Sequence, residues 1–122
     1  MLSRSRKRAG LEAEDYASAY LEKLGWQIVE RNWRCRSGEI DLVARDQGTL
    51  VFVEVRSRTS PSRYGTAVEA VTPRKCRQVR ETAGVYLRLH RLDGTPVRFD
   101  AVAVTFAKDG AVQELKHIPN AF

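Results

Sequence analysis

No apolar run in this chain approaches the roughly 20 residues that a membrane-crossing helix needs, so the sequence predicts no membrane span. Cysteine is scarce. Cys35 and Cys76 stand far apart, without the close pairing of a zinc or redox motif, and they read as free thiols rather than a disulfide. The basic opening MLSRSRKRAG is not followed by an apolar signal region, which predicts a cytoplasmic protein. There is no internal repeat and no low-complexity linker. At 122 residues, with 43% hydrophobic and 30% charged side chains, the chain suits one globular domain with its own core.

Positive charge is in excess, and its distribution says more than the net +6. Residues 39–55 hold four acidic side chains and one basic, whereas residues 56–91 hold nine basic and two acidic. An acidic island is thus followed by a basic stretch. This is the pattern of a polyanion-binding surface around a cation-binding spot, and equally that of a solvated basic helix on an ordinary protein.

Coarse elements follow from periodicity and breakers. Residues 1–9 read as a disordered basic tail and residues 10–24 as an amphipathic helix that Gly25 stops. Strands are expected over 26–33, 38–45 and 50–57, an irregular stretch over 58–71, and a second helix from Thr72 and Pro73, as N-cap and first helical residue, to about His90. Two strands close the chain, over 97–106 and 111–118. The order α-β-β-β-α-β-β predicts an α/β fold: a mixed sheet of about five strands flanked by helices.

The stretch GEIDLVARDQGTLVFVEVRSR (38–58) places acids inside two strongly apolar strands. Side chains alternate along a strand. Glu39, Asp41 and Val43 therefore share one face, and Leu50, Phe52, Glu54 and Arg56 share a face of the next strand. With residues 46–49 as the hairpin loop, Val43 faces Phe52, Asp41 faces Glu54 and Glu39 faces Arg56. Two carboxylates opposed across a strand pair repel; if covered, they share a proton or hold a cation. Mg²⁺ suits one or two carboxylates completed by water and phosphate oxygens, and the Val55 carbonyl is a further candidate ligand. The plainer reading is a Glu39–Arg56 ion pair beside solvated acids on an open sheet face.

Both helices carry a matching anomaly. Glu14 falls on the buried stripe of the first with Leu11, Ala17 and Leu21, where it either joins the acids or meets an arginine at the stripe edge. Lys75 falls within the stripe of the second, which Cys76, Val79, Ala83, Tyr86 and Leu87 define. It either reaches a phosphate or carboxylate, or snorkels to solvent.

Taken in order, AEDYASAYLEKLGW, ERNWRCRSGEIDLVARD, LVFVEVRSR, the Lys75 helix ending in AGVYL, RFDAVAV and IPNAF make the chain resemble the YraN-type family. That family is similar to archaeal Holliday-junction resolvases and, more widely, to the PD-(D/E)xK nuclease superfamily. The resemblance covers almost the whole chain. It implies a restriction-endonuclease-like fold over 10–122 and a Mg²⁺- or Mn²⁺-dependent endonuclease acting on DNA, branched or structured DNA included. It casts Asp41, Glu54 and Glu14 as metal ligands and catalytic acids, with Arg56 at the place of the motif lysine. Arginine stays charged and cannot act as a base, so Arg56 would hold the phosphate, with Glu39 and Lys75 in support. Arg58, Arg63, Arg74, Arg77 and Arg80 would track the nucleic-acid backbone, DNA in preference to RNA. Resolvase-like relatives work as dimers, which makes a homodimer an expected assembly. The alternative is a nucleic-acid-binding protein that keeps the fold with weak or no turnover.

Overall fold

A computed structural model describes residues 6–59 and 72–122, with side chains from Glu12 onward in the first helix. The elements are α1 (Arg6–Lys23), β1 (Gln27–Cys35), β2 (Gly38–Asp46), β3 (Thr49–Thr59), α2 (Pro73–Leu89), β4 (Val97–Phe106) and β5 (Val112–Ile118). This is the predicted α-β-β-β-α-β-β order. Helix α1 begins at Arg6 and so takes in residues 6–9, which the charge pattern assigns to a tail; residues 1–5, and most of the stretch expected to be irregular, lie outside the described residues. Strand β3 runs on to Thr59 and includes Arg58.

The helix ends follow their sequence signals. Gly25 has φ +92, a conformation that costs glycine little, and the Trp26 N–H reaches back to the Leu21 carbonyl at 3.1 Å to close α1. The Thr72 hydroxyl accepts the Lys75 N–H at 3.1 Å, and Pro73 opens α2. Among the described residues no helix is long and apolar enough to cross a membrane.

The five strands lie in the order β1-β2-β3-β4-β5. β3 and β4 are parallel and joined across α2, while every other neighbouring pair is antiparallel. The β2–β3 register is the one the loop length predicts: Val43 pairs Phe52 and Arg45 pairs Leu50. The turn is tighter than expected. Asp46 pairs Thr49, leaving Gln47 and Gly48 as the link, with Gln47 left-handed at φ 56.

Each face of the sheet carries one helix. Ala13, Ala17 and Leu21 of α1 pack on Leu42, Val51, Val53, Val102 and Val104. Val79, Ala83 and Tyr86 of α2 pack on Ile40, Val43, Leu50 and Phe52. Leu50 through Glu54 are buried without a break, because a strand covered on both faces has no solvent side to alternate with.

Alternation fails in β2. Ile40 joins Val43 on the α2 face, whereas Leu42 lies on the α1 face. The turnover falls at Asp41. Opposite it in β1, between the pairs Arg31–Leu42 and Trp33–Ile40, stands Asn32 in the left-handed region at φ 53. The expectation that Glu39, Asp41 and Val43 share one face is therefore corrected, and the local backbone twist is its cause.

One buried acid lies away from this region. Asp100 of β4 is fully buried and accepts Arg98 Nε at 2.9 Å and Nη2 at 3.2 Å, His117 Nε2 at 2.8 Å and the Asn120 N–H at 3.0 Å. Its oxygens have partners on every side, as a structural carboxylate should.

Candidate metal and nucleic-acid site

The antiparallel ladder between β2 and β3 ends at the pair Leu42–Val53. Past it the strands are bridged by carboxylates. Asp41 Oδ2 accepts the Val55 N–H at 2.8 Å, and the Asp41 N–H donates to Glu54 Oε2 at 3.4 Å. Each acid thus touches backbone of the other's strand, which brings the two carboxylates together as the register predicts. It is the Val55 N–H, rather than its carbonyl, that meets Asp41.

Glu54 is 1% exposed. Burial, followed by the negative charge of Glu54, pushes the Asp41 carboxyl from 3.8 up to about 7; the Val55 hydrogen bond opposes this, Glu14 adds to it, and Arg56 subtracts. Asp41 therefore resists ionising beside Glu54.

Glu14 comes from α1 and is 9% exposed, on the buried stripe where its helical angle puts it. Its Oε1 is buried with no hydrogen-bond partner among the described residues. Burial raises its carboxyl above the ordinary glutamate value, against a hydrogen bond from the Asn32 side chain and the charge of Arg31. Arg31 Nη2 stands 3.9 Å away and is committed to Asp15 Oδ1 at 2.7 Å. Glu14 is near enough to disfavour ionisation of Asp41. Even so, among the described residues no three acidic, histidine or cysteine side chains converge as a ready-made metal cage. The arrangement is a two-carboxylate site with a third acid alongside. A repelling pair and an orphaned carboxylate oxygen fit a hard cation such as Mg²⁺ or Mn²⁺ with water and phosphate oxygens in the remaining positions.

Three cations line the other side. Lys75 Nζ lies 3.1 Å from Glu54 Oε1, so it reaches a carboxylate instead of solvent. Arg56 Nη2 stands 3.9 Å from the same oxygen. Among the described residues its Nε is buried without an acceptor, as are Nε and Nη1 of Arg58 two residues further along β3. Buried N–H groups without partners are costly, and a bound anion would satisfy them.

Glu39 does not support Arg56. It pairs with Arg34 Nε of β1 at 3.1 Å, next to the turn between Cys35 and Gly38. The ladder has already ended where Glu39 would meet β3, and this corrects the expected Glu39–Arg56 contact.

Arg74 and Arg77 are exposed and, with Lys75, line an open cleft of about 650 Å³ along α2. Arg80 turns elsewhere: its Nη2 donates to the Phe122 carbonyl at 2.6 Å, and its guanidinium lies 4.6 Å from the Phe99 ring centre. Arg63 lies outside the described residues. Cys35 and Cys76 are free thiols.

Sequence reasoning missed Asn32 and Gln78. An asparagine in the middle of a strand was the available signal for a left-handed position. Gln78 offered none, because it lies on the edge of a helical stripe.

Residues 13–104 match the uncharacterised protein family UPF0102. A UPF0102 protein of Pelotomaculum thermopropionicum is 47% identical over 118 residues, covering 97% of this chain and 98% of that one. One from Geobacter metallireducens is 46% identical over 121 residues, with 99% and 97% covered, and one from Frankia casuarinae is 43% identical over 119 residues, with 98% and 99% covered. Similarity of this extent along both chains, together with the family match, makes this protein a member of the UPF0102 family.

Proposed function

We propose that this protein is a divalent-metal-dependent endonuclease that hydrolyses phosphodiester bonds in DNA, structured or branched DNA included. The observation that carries the proposal is the Asp41–Glu54 pair. A buried Glu54 meets a half-buried Asp41 where a backbone ladder gives way, the Asp41 carboxyl is pushed up to about 7, and Lys75 and Arg56 stand beside Glu54. That is a costly arrangement for a purely structural role, and an economical one for gripping a cation against a phosphate.

Asp41 and Glu54 would hold the ion, with Glu14 Oε1 as the spare acceptor next to them. Bound Mg²⁺ would supply Lewis acidity toward a phosphate oxygen and a more acidic bound water. The chain's own groups do the rest. Lys75 and Arg56 neutralise charge that develops on the phosphate oxygens. Arg58 offers unsatisfied N–H groups to the strand beyond, and Arg74 and Arg77 carry the backbone along α2. In the reaction a water oxygen forms a bond to phosphorus and the P–O bond to the leaving sugar oxygen breaks. The water loses a proton and the sugar oxygen gains one. Contacts to phosphate position the strand without reading its sequence, so binding should weaken steeply with salt and selectivity should follow shape. A homodimer would present two such sites to a two-fold substrate, and a cytoplasmic location would give the protein access to DNA.

A second reading rests on a different observation. Lys75 already neutralises Glu54 at 3.1 Å, and Arg56 cannot serve as a base. This favours a nucleic-acid-binding protein with weak or no turnover. A cleavage panel over single-stranded, flapped, branched and duplex DNA, with Mg²⁺ and with Mn²⁺, separates the two. The nuclease reading expects nicking that EDTA and Glu54→Ala abolish. No cleavage of any substrate, with salt-sensitive binding that survives EDTA, establishes the second reading instead.

A further inference from the structure

A second cleft, of about 350 Å³, opens between the β1–β2 turn and α2, and it is lined by Arg34, Cys35, Gly38, Glu39, Lys75 and Gln78. We propose that it is a base pocket, which takes one unpaired nucleobase adjoining the phosphate held at Asp41 and Glu54. The proposal rests on the nucleic-acid reading of that site and adds its substrate class: DNA with an unpaired nucleotide at the point of binding.

Position comes first. Lys75 forms one wall, and its Nζ lies 3.1 Å from Glu54 Oε1. A ligand entering the cleft therefore starts next to the carboxylate pair. The volume is at the low end for a small-ligand site, which runs from about 300 to 1,000 Å³, and suits a single nucleoside.

The two clefts share Lys75 and Gln78 and differ in the rest of their lining. The larger one along α2 adds Arg74, Arg77 and Glu81, and its excess of cations suits the phosphate backbone. The smaller one holds the half-exposed carboxylate of Glu39, paired to Arg34. A carboxylate repels phosphate, but it accepts hydrogen bonds from the exocyclic amine of a base. The Arg34 side chain, 75% exposed, offers a flat guanidinium for stacking on a base.

Gln78 supplies the third element. Among the described residues its exposed carboxamide has no hydrogen-bond partner, while the Thr82 hydroxyl donates to its backbone carbonyl at 2.8 Å. A glutamine amide presents a donor and an acceptor together, the fork that matches adenine. Gly38 leaves room for this side chain. A Cβ at Gly38, whose φ is +148, would stand 3.0 Å from Thr82 Oγ1 and 3.1 Å from Gln78 Nε2. A base still stacked and paired within a duplex cannot enter between a strand turn and a helix, so the occupant is unpaired or flipped out.

The test is a ¹⁵N NMR titration of the full chain with deoxyadenosine monophosphate, beside one with inorganic phosphate. The nucleotide is expected to move the backbone amides of Gly38 and Glu39 and the Gln78 carboxamide, and phosphate alone is expected to leave these signals still. Gln78→Leu should weaken nucleotide binding about five-fold, and the same spectra report whether the variant is folded; Gln78→Glu serves if it is not. The proposal is overturned if nucleotide and phosphate move the same signals, or if the nucleotide leaves the three named groups unmoved. Nucleotide binding in this cleft without cleavage of any DNA would sink the nuclease reading and leave the pocket standing. Glu54-dependent cleavage with no nucleotide-specific shifts would do the reverse.

Discussion

Asp41→Asn should stabilise the metal-free protein at pH 8 and leave it no more stable at pH 4. An ordinary aspartate ionises near 3.8, and in the folded protein Asp41 does so near 7. Between these values the folded state keeps a proton that the unfolded chain has lost. Stability therefore falls as pH rises from about 4 to about 7, and it stays low above that. Each unit of displacement is about 1.4 kcal/mol, so the ceiling on the cost of ionising Asp41 at pH 8 is about 4 kcal/mol. Asp41 is only half-buried, so solvent screens part of that cost. Asparagine also accepts the Val55 N–H less strongly than a carboxylate does, a loss of about 1 kcal/mol. The net expected gain is about 1–2 kcal/mol at pH 8, shrinking to zero or slightly negative near pH 4.

Urea unfolding in EDTA at pH 4, 5.5, 7 and 8 measures it. A gain of this size moves the midpoint by about 0.5–1 M, at a slope of about 2 kcal/mol per molar. The pH profile is the decisive feature. A difference that is the same at all four pH values, or a variant destabilised at pH 8, would mean that the two acids are not held together against their repulsion, and the site would lose its physical basis.

Mg²⁺ should raise the melting temperature of the wild type little at pH 5 and increasingly as pH passes about 7, because a ligand carboxylate must shed its proton first. Glu54→Gln should remove that response, and equal stabilisation at pH 5 and 8 would count against a carboxylate site. Asp100→Asn should cost about 3–5 kcal/mol in chemical denaturation, with no gain at high pH, because it breaks a buried and fully paired carboxylate. Gly38→Ala should cost about 1–2 kcal/mol by the same assay, from its left-handed φ of +148 and the contact 3.0 Å from Thr82 Oγ1.

Much of the geometry was legible because it depends on local rules. The period of two and the short turn determine which residues of β2 and β3 face each other, and Val43–Phe52 follows directly. Thr72 and Pro73 announce α2, and the helical angle of Glu14 puts it on the buried stripe. The failures begin where a strand stops being regular. Glu39 opposite Arg56 assumes an unbroken ladder, and no rule of alternation reveals that Asn32 at φ 53 lets β2 turn over at Asp41. Arg80 looked like its exposed neighbours on α2, yet its direction is set by Phe122, distant in sequence. The partners of Asp100 likewise come from β5 and the segment after it, so only the assembled sheet shows that this acid is satisfied.

Asp100 also supplies the control for the functional argument. The fold demonstrably can bury a carboxylate well: Asp100 has a guanidinium, an imidazole and a backbone N–H around it. At the other location Glu14 and Glu54 are buried and Asp41 half-buried, with the same hydrophobic scaffold at hand, and they are paired less completely. Among the described residues Glu14 keeps an oxygen with no donor, Asp41 faces Glu54, and the arginines of β3 beyond them hold N–H groups with no acceptor. Lys75 pairs with Glu54 Oε1 at 3.1 Å and Arg56 Nη2 stands 3.9 Å from it, yet the Glu14 oxygen and the Arg56 and Arg58 N–H groups keep no partner among the described residues. A structural ion pair would close that gap. A site that leaves it open fits a cation between the acids and a phosphate against the arginines, and a strand of DNA with its bound metal brings both at once.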